Sequence, residues 1–277
     1  MQQISGKVVV ITGGYGVLCG AMAKTMVQNG AKVAILGLIK EEADAFISTI
    51  EAPNGEMLGF GANVLDKKSI ETVHQQILAT WGPCDILING AGGNHPNGTT
   101  DRPFMKEKDI NNDAIKSFFD LDPAGFQFVF ELNLLGTLIP SQVFAQDMVG
   151  RKGCSIINIS SLSAFKPLTK VPAYSGAKAA VSNFTLWLAV HFAKLGIRVN
   201  AIAPGFFLAD QNRALLTNTD GTLTPRGQQI IDQTPMGRFG EPEDLLSTLA
   251  WLLDDESSFV TGVIVPVDGG FTAYAGV

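Results

Sequence analysis

Lys7-Val8-Val9-Val10-Ile11-Thr12-Gly13-Gly14-Tyr15-Gly16-Val17-Leu18-Cys19-Gly20 decides how this chain is read. A short β-branched run enters a glycine-rich turn, and Ala21-Met22-Ala23-Lys24 then opens a helical pattern. A plain tight turn would use glycine only for its access to positive φ. Here the turn follows the first strand and begins a strand–helix–strand unit near the N-terminus. In that position the backbone of Gly13, Gly14, Tyr15, Gly16, Val17 and Leu18 can approach a pyrophosphate, and the helix N-terminus favours its negative charge. The stretch predicts a dinucleotide site.

Working outward, apolar runs recur between longer helical patterns. Lys7–Thr12, Lys32–Gly37, Glu56–Ala62, Asp85–Asn89, Ser155–Ser160, Arg198–Ala203 and Val263–Val267 read as strands, and Asp66–Trp81 and Glu241–Leu253 as helices. Such alternation predicts an α/β fold: one doubly wound parallel sheet of Rossmann type, about seven strands, with helices on both faces. Near-continuous apolar strands are what burial on both faces requires. Residues 1–277 read as one domain, without repeats or an interdomain linker. Two polar stretches break the rhythm, an inserted segment at about 93–126 and a second at about 205–238. Both leave the carboxyl edge of the sheet, where ligands bind in such folds, so the second reads as a substrate lid.

The bulk numbers narrow the function classes. Hydrophobic residues are 46% and charged residues 17%, so a core is available and disorder is not expected. The net charge of −6 and a pI near 5.1 give no basic footprint for nucleic acid. Cys19, Cys84 and Cys154 are widely spaced, so neither a disulfide framework nor a metal site is expected, and a cytoplasmic location fits. The first residues lack a signal-peptide layout, and no apolar stretch reads as long enough to span a bilayer. The mean hydropathy of +0.21 suggests extensive burial.

Chemistry is concentrated in Pro172-Ala173-Tyr174-Ser175-Gly176-Ala177-Lys178, with Ser161 thirteen residues before Tyr174. Tyrosine is a poor acid or base at neutral pH, with an ordinary pKa of about 10. A cation one helical turn away can favour the phenolate. A serine hydroxyl could orient a substrate carbonyl, so that a proton moves at this site while a cofactor moves a hydride. Taken alone, Tyr and Lys at this spacing are better explained by a buried ring beside a solvated charge.

The second strand ends in Ile35-Leu36-Gly37-Leu38-Ile39-Lys40. An acid there would bond the ribose 2′-hydroxyl of NAD, and a cation would suit the phosphate of NADP. Gly37 stands in place of the acid, so the choice between NAD and NADP stays open.

With these motifs in order, the chain resembles the short-chain dehydrogenase/reductase family from Lys7 to Gly270. Asn89-Gly90-Ala91-Gly92 is similar to the family's Asn-Asn-Ala-Gly motif bordering the cofactor, and Pro204-Gly205 to its turn beside the nicotinamide. Asp268-Gly269-Gly270 is similar to its C-terminal signature. The resemblance implies Asn133, Ser161, Tyr174 and Lys178 as the catalytic set, with Asn133 holding a water that links Lys178 to solvent. It implies cofactor contacts from Gly37, Asn63 and Val64 as well as from the glycine turn, Tyr174 and Lys178, and it implies a homotetramer formed through the Tyr174 helix and the C-terminal strand region. Apolar Phe184, Trp187, Leu188 and Phe192 are candidates for that interface or for the core. The sequence departs from the family pattern at Val17 and Cys19, where glycine is usual, at Asn63, where aspartate is common, and at Ala209, where threonine often holds the nicotinamide amide.

Asn89–Pro96, Phe118–Asp122 and Ala203–Leu208 further resemble a branch of the family that interconverts D-fructuronate and D-mannonate. A hydroxy or keto sugar acid carries a carboxylate, so Asn94, His95 and above all Arg213 are candidate substrate contacts, with Lys166, Lys170 and Arg102 as further cations. Two other readings remain. One is the same chemistry on another polyol, a ring ketone or a 3-oxoacyl thioester, against which the polar insert argues mildly. The other is a nucleotide-binding regulator without turnover.

Overall fold

β1 (Val8–Thr12), β2 (Lys32–Gly37), β3 (Glu56–Gly61), β4 (Ile86–Asn89), β5 (Ser155–Ile159), β6 (Arg198–Pro204) and β7 (Ile264–Val267) lie on the apolar runs, each within one residue of the predicted limits. The computed structural model describes residues 4–52, 54–208 and 210–276. The strands form one sheet in the order β3-β2-β1-β4-β5-β6-β7, and every neighbouring pair is parallel. The order reverses between β1 and β4. A crevice therefore opens at their carboxyl ends, where Thr12 is in register with Asn89.

Alternation along each strand sorts the core into two layers. Val9, Ile11, Val33, Ile35, Ile86 and Ile88 face α1 (Val17–Gln28) and α9 (Leu246–Leu253), packing with Met22, Met26, Leu249 and Leu252. Val8, Val10, Ala34, Leu36 and Leu87 face the opposite way, toward α3 (Lys67–Trp81) and α5 (Gly136–Met148). α3 forms where Ile70, Val73 and Ile77 recur on one face, and the Asp66 carboxylate caps it by accepting from the Lys68 amide. α2 (Lys40–Ser48) covers β2 and β3. α6 (Pro172–Phe192) starts on Pro172, whose fixed φ suits a first helical position.

The helical stretch Pro123–Met148 corrects one expectation. It runs as α4 (Pro123–Phe130), a π turn (Glu131–Leu135) and α5, and by length and composition it could cross a bilayer, with mean hydropathy 1.4. Half of that apolar window is buried, against α3 on one side and α6 on the other, so its hydropathy is accounted for by core packing.

Of the four apolar residues weighed for an interface, Leu188 is core, and Phe184 and Phe192 pack onto the same layer. Trp187 is 56% exposed, beside Val190 at 80%. The insert contains three short 3-10 turns, and the later segment folds into α7 (Asp210–Leu216) and α8 (Pro225–Asp232). Cys84 and Cys154 are buried just before β4 and β5, at the amino edge of the sheet. Cys19 is buried at the carboxyl edge, inside α1.

Candidate active site

The glycine turn is tied to the β4 turn by specific contacts. Gly13 adopts φ +62°, and a Cβ there would lie 3.0 Å from the backbone of Ala91, so glycine is required twice over. The Thr12 hydroxyl accepts from the Gly90 and Ala91 amides at 3.1 and 3.2 Å. α1 begins after Gly16 with no side-chain cap and no acid in its first turn, so its dipole and first amides remain available to an anion. These features fit a bound dinucleotide. Cys19, where the family has glycine, fills the space behind Gly90, whose added Cβ would sit 2.2 Å from its sulfur. Val17 stands 37% exposed at the helix entrance.

Behind the turn lies a buried polar chain. Asn89 donates to Ser141 at 2.9 Å and to Asn158 at 2.8 Å, and Asn158 donates to Thr185 of α6 at 2.9 Å. Burying so many amides is costly unless they are paired, so this chain fixes β4, β5 and α6 relative to one another. Sequence reasoning missed Thr12, Asn158 and Thr185. Polar residues inside otherwise apolar runs were the available signal.

The proton-transfer candidates converge at the carboxyl ends of β4 and β5. Ser161 follows β5 and caps the turn Leu162–Ala164, accepting from the Ser163 amide at 3.2 Å, while its hydroxyl also bonds the Tyr174 phenol. Tyr174 packs with Phe126 and Phe130 around Val129 and Ala177. Burial pushes the phenol above its ordinary value, and the Ser161 bond partly offsets this. Lys178 is buried, donates to the Ile159 carbonyl at 2.8 Å and lies 5.7 Å from the Tyr174 ring centroid. Burial brings its pKa down to about 8, with Cys19 opposing. Burial and Ser161 set the direction of the phenol's shift, while the Lys178 ammonium donates to a backbone carbonyl.

Asn133 sits in the π turn, buried. Its amide donates to the Gly93 carbonyl at 2.7 Å and to the Val129 carbonyl at 2.8 Å, and its Oδ1 accepts from the Gly93 amide at 3.3 Å. The side chain anchors the insert's first residues through these bonds. A Cβ added at Gly92 would lie 2.6 Å from Asn133 Oδ1 and 3.1 Å from Lys178 Nζ, so these groups crowd a single point.

The outer candidates are dispersed. Asn63 spends its side chain on the Leu65 amide, and Val64 is core. Asn94 bonds Thr99, and His95 Nδ1 accepts from the Asn97 amide while its ring lies 5.2 Å from Phe128. Arg102 is paired to the buried Asp109 at 2.8 Å. Lys170, at φ +72°, accepts at its carbonyl from the Thr100 amide, which docks the insert on the start of α6. Lys166 donates to the Tyr274 carbonyl at 2.9 Å and lies over the Phe271 ring, bringing the C-terminal tail beside the Ser161 turn. A Cβ at Gly205 would lie 2.6 Å from Asp268, so the tail also meets the root of the later segment. Arg213 is exposed on α7, and Ala209 lies outside the described residues. The insert is less polar outside than its composition suggested: Phe104 is 76% exposed, and Phe118 and Phe119 are each 68% exposed.

A sheet with its crevice at a glycine turn, beside a Ser–Tyr–Lys cluster, defines a dinucleotide-fold oxidoreductase. The family described as enoyl-(acyl carrier protein) reductase matches residues 18–272, and the chain belongs to this family of short-chain dehydrogenases/reductases. An oxidoreductase of Bacillus subtilis that is uncharacterised and named UxuB is 53% identical over 277 residues, spanning 100% of this chain and 98% of its own. A crystal structure from Haemophilus influenzae, provisionally described as a D-mannonate oxidoreductase with bound NAD, superposes with a TM-score of 0.94 at 53% identity, covering 99% of this chain and 98% of the other. The 2-dehydro-3-deoxy-D-gluconate 5-dehydrogenase of Formosa agariphila is 31% identical over 99% of this chain and 95% of its own.

Proposed function

We propose that the protein reduces the keto group of a sugar acid and oxidises the matching secondary alcohol, with D-fructuronate and D-mannonate as the pair and NAD or NADP as cofactor. The observation that carries the reading is the convergence of Ser161, Tyr174 and Lys178 beside the β1–β4 crevice. The choice of sugar acid is supported by the likeness to the Haemophilus protein and to the Formosa dehydrogenase.

A bound nicotinamide would supply or accept the hydride. Ser161 would hold the reacting oxygen through its hydroxyl. Tyr174, whose raised pKa keeps it protonated at neutral pH, would give its phenolic proton to the alkoxide as it forms. Lys178 would balance the negative charge left on the phenolate once its proton has gone, and at pH 7 it is still mostly ammonium, its pKa being about 8. Asn133 anchors Gly93, and through it the crevice wall, by two of its three hydrogen bonds, the third going to the Val129 carbonyl. Arg213, Asn94 and His95 are the candidates to meet the carboxylate. Trp187 and Val190 on the outer face of α6 are proposed as part of a tetramer interface, which light scattering would size.

The test is the absorbance change of NADH, then NADPH, on adding D-fructuronate. Turnover with D-fructuronate well above that with 3-oxoacyl thioesters and ring ketones is expected. Preference for a thioester would favour the second reading, to which the exposed phenylalanines of the insert lend support.

A further inference from the structure

The tip of β2 holds an arrangement that its sequence alone does not reveal. Gly37 ends the strand, and a Cβ there would lie 1.9 Å from Cε1 of Tyr15. The Tyr15 ring, carried by the glycine turn, thus stands in the volume that an acidic side chain at position 37 would take. Its hydroxyl is met by the Glu42 carboxylate of α2 and by the backbone of Leu38. Lys40, the one nearby cation in the chain's order, is paired with Asp44 one helical turn on. The start of α2 therefore carries three carboxylates, Glu41, Glu42 and Asp44, against one ammonium. Burial first, and Glu42 second, raise the Tyr15 phenol above its ordinary value, so it presents a hydroxyl beside a carboxylate.

We propose that Tyr15 and Glu42 together take over the role of the missing acid and select a dinucleotide whose adenosine ribose carries a free 2′-hydroxyl. The ring closes the floor over Gly37, and Glu42 supplies the charge. A ribose hydroxyl can donate to this pair. A 2′-phosphate brings about −1.5 to −2 charges and meets a carboxylate, while Lys40 is already committed to Asp44. The inference rests on the dinucleotide reading above and deepens it.

The experiment is binding of NADH and of NADPH to the whole protein, without substrate, followed by nicotinamide fluorescence, with melting curves for every variant. Wild type is expected to bind NADH at least about tenfold more tightly at low salt. Glu42→Gln, at an exposed position, should close that gap by about three- to fivefold, chiefly by strengthening NADPH. Gly37→Asp should lower the melting temperature through its collision with Tyr15, and adding Tyr15→Ala should recover both the melting temperature and the preference for NADH. Equal affinity of wild type for the two cofactors would overturn the inference and leave the dinucleotide reading standing. An unchanged ratio in a normally melting Glu42→Gln protein would do the same. Failure of both cofactors to bind would overturn the two together.

Discussion

The centre of the active edge and its rim are built by different means. At the centre, the β1, β4 and β5 ends, α6 and the π turn are locked by buried hydrogen bonds through Thr12, Asn89, Asn133, Asn158 and Thr185. The rim comprises the insert, the α7–α8 segment and the C-terminal tail. It is held by short turns, one buried carboxylate at Asp109 and a few docking bonds such as Thr100 to Lys170. The centre can hold a reacting geometry while the rim accommodates different substrates. This is how one reaction is kept while the molecule it acts on changes.

The contrast can be broken at its strongest point first. Tyr174→Phe should lower turnover about 10²–10⁴-fold with the melting temperature held, because only the phenolic oxygen is removed. Near-normal turnover would remove Tyr174 from the chemistry. Next comes pH. The apparent kcat/KM for the dinucleotide in the reductive direction should fall as pH rises through about 8, where buried Lys178 loses its proton. Stability should move the other way. The unfolded lysine titrates at 10.5, so between about 8 and 10.5 the unfolded chain binds the extra proton, and deprotonation favours the fold as pH rises. A pH profile that is flat from 7 to 9 in kcat/KM would show that this amine does not titrate as the burial requires.

Smaller effects test the boundary between centre and rim. Gly92→Ala pushes a methyl against Asn133 and Lys178 and should cost about 1–3 kcal/mol in chemical denaturation, together with activity. Asp109→Ala strands Arg102 and the Lys106 amide inside the insert and should cost about 1–2 kcal/mol at most, as Arg102 is partly exposed. It should raise KM for the proposed sugar acid while the affinity for the dinucleotide, measured by fluorescence, stays put. Loss of dinucleotide binding in Asp109→Ala would merge rim and centre into one unit.

Most of the centre was legible in the sequence because it is written in short periods. Val8 and Val10 alternate with Val9 and Ile11, and the structure sends the two pairs to opposite layers. Asp66 precedes a helical repeat and caps it. The Tyr174–Lys178 spacing put both residues in the first turns of α6. Contacts between residues far apart in the chain were not legible. The ring of Tyr15 over Gly37, the sulfur of Cys19 beneath Gly90 and the π turn at Asn133 depend on how separate elements meet, and no local pattern encodes that. The insert misled in a third way. Its polar residues are spent on its own turns, as Arg102 is on Asp109, which leaves phenylalanines outside.

The three buried cysteines provide reporters already placed on the two edges of the sheet. Burial holds the Cys19 thiol at about 12 and raises those of Cys84 and Cys154, so near neutral pH all three resist alkylation until the surrounding structure opens. Cys84 and Cys154 watch the amino edge and Cys19 the glycine turn. Timed trapping of each thiol would separate breathing at the cofactor edge from opening at the far side, without introducing a label.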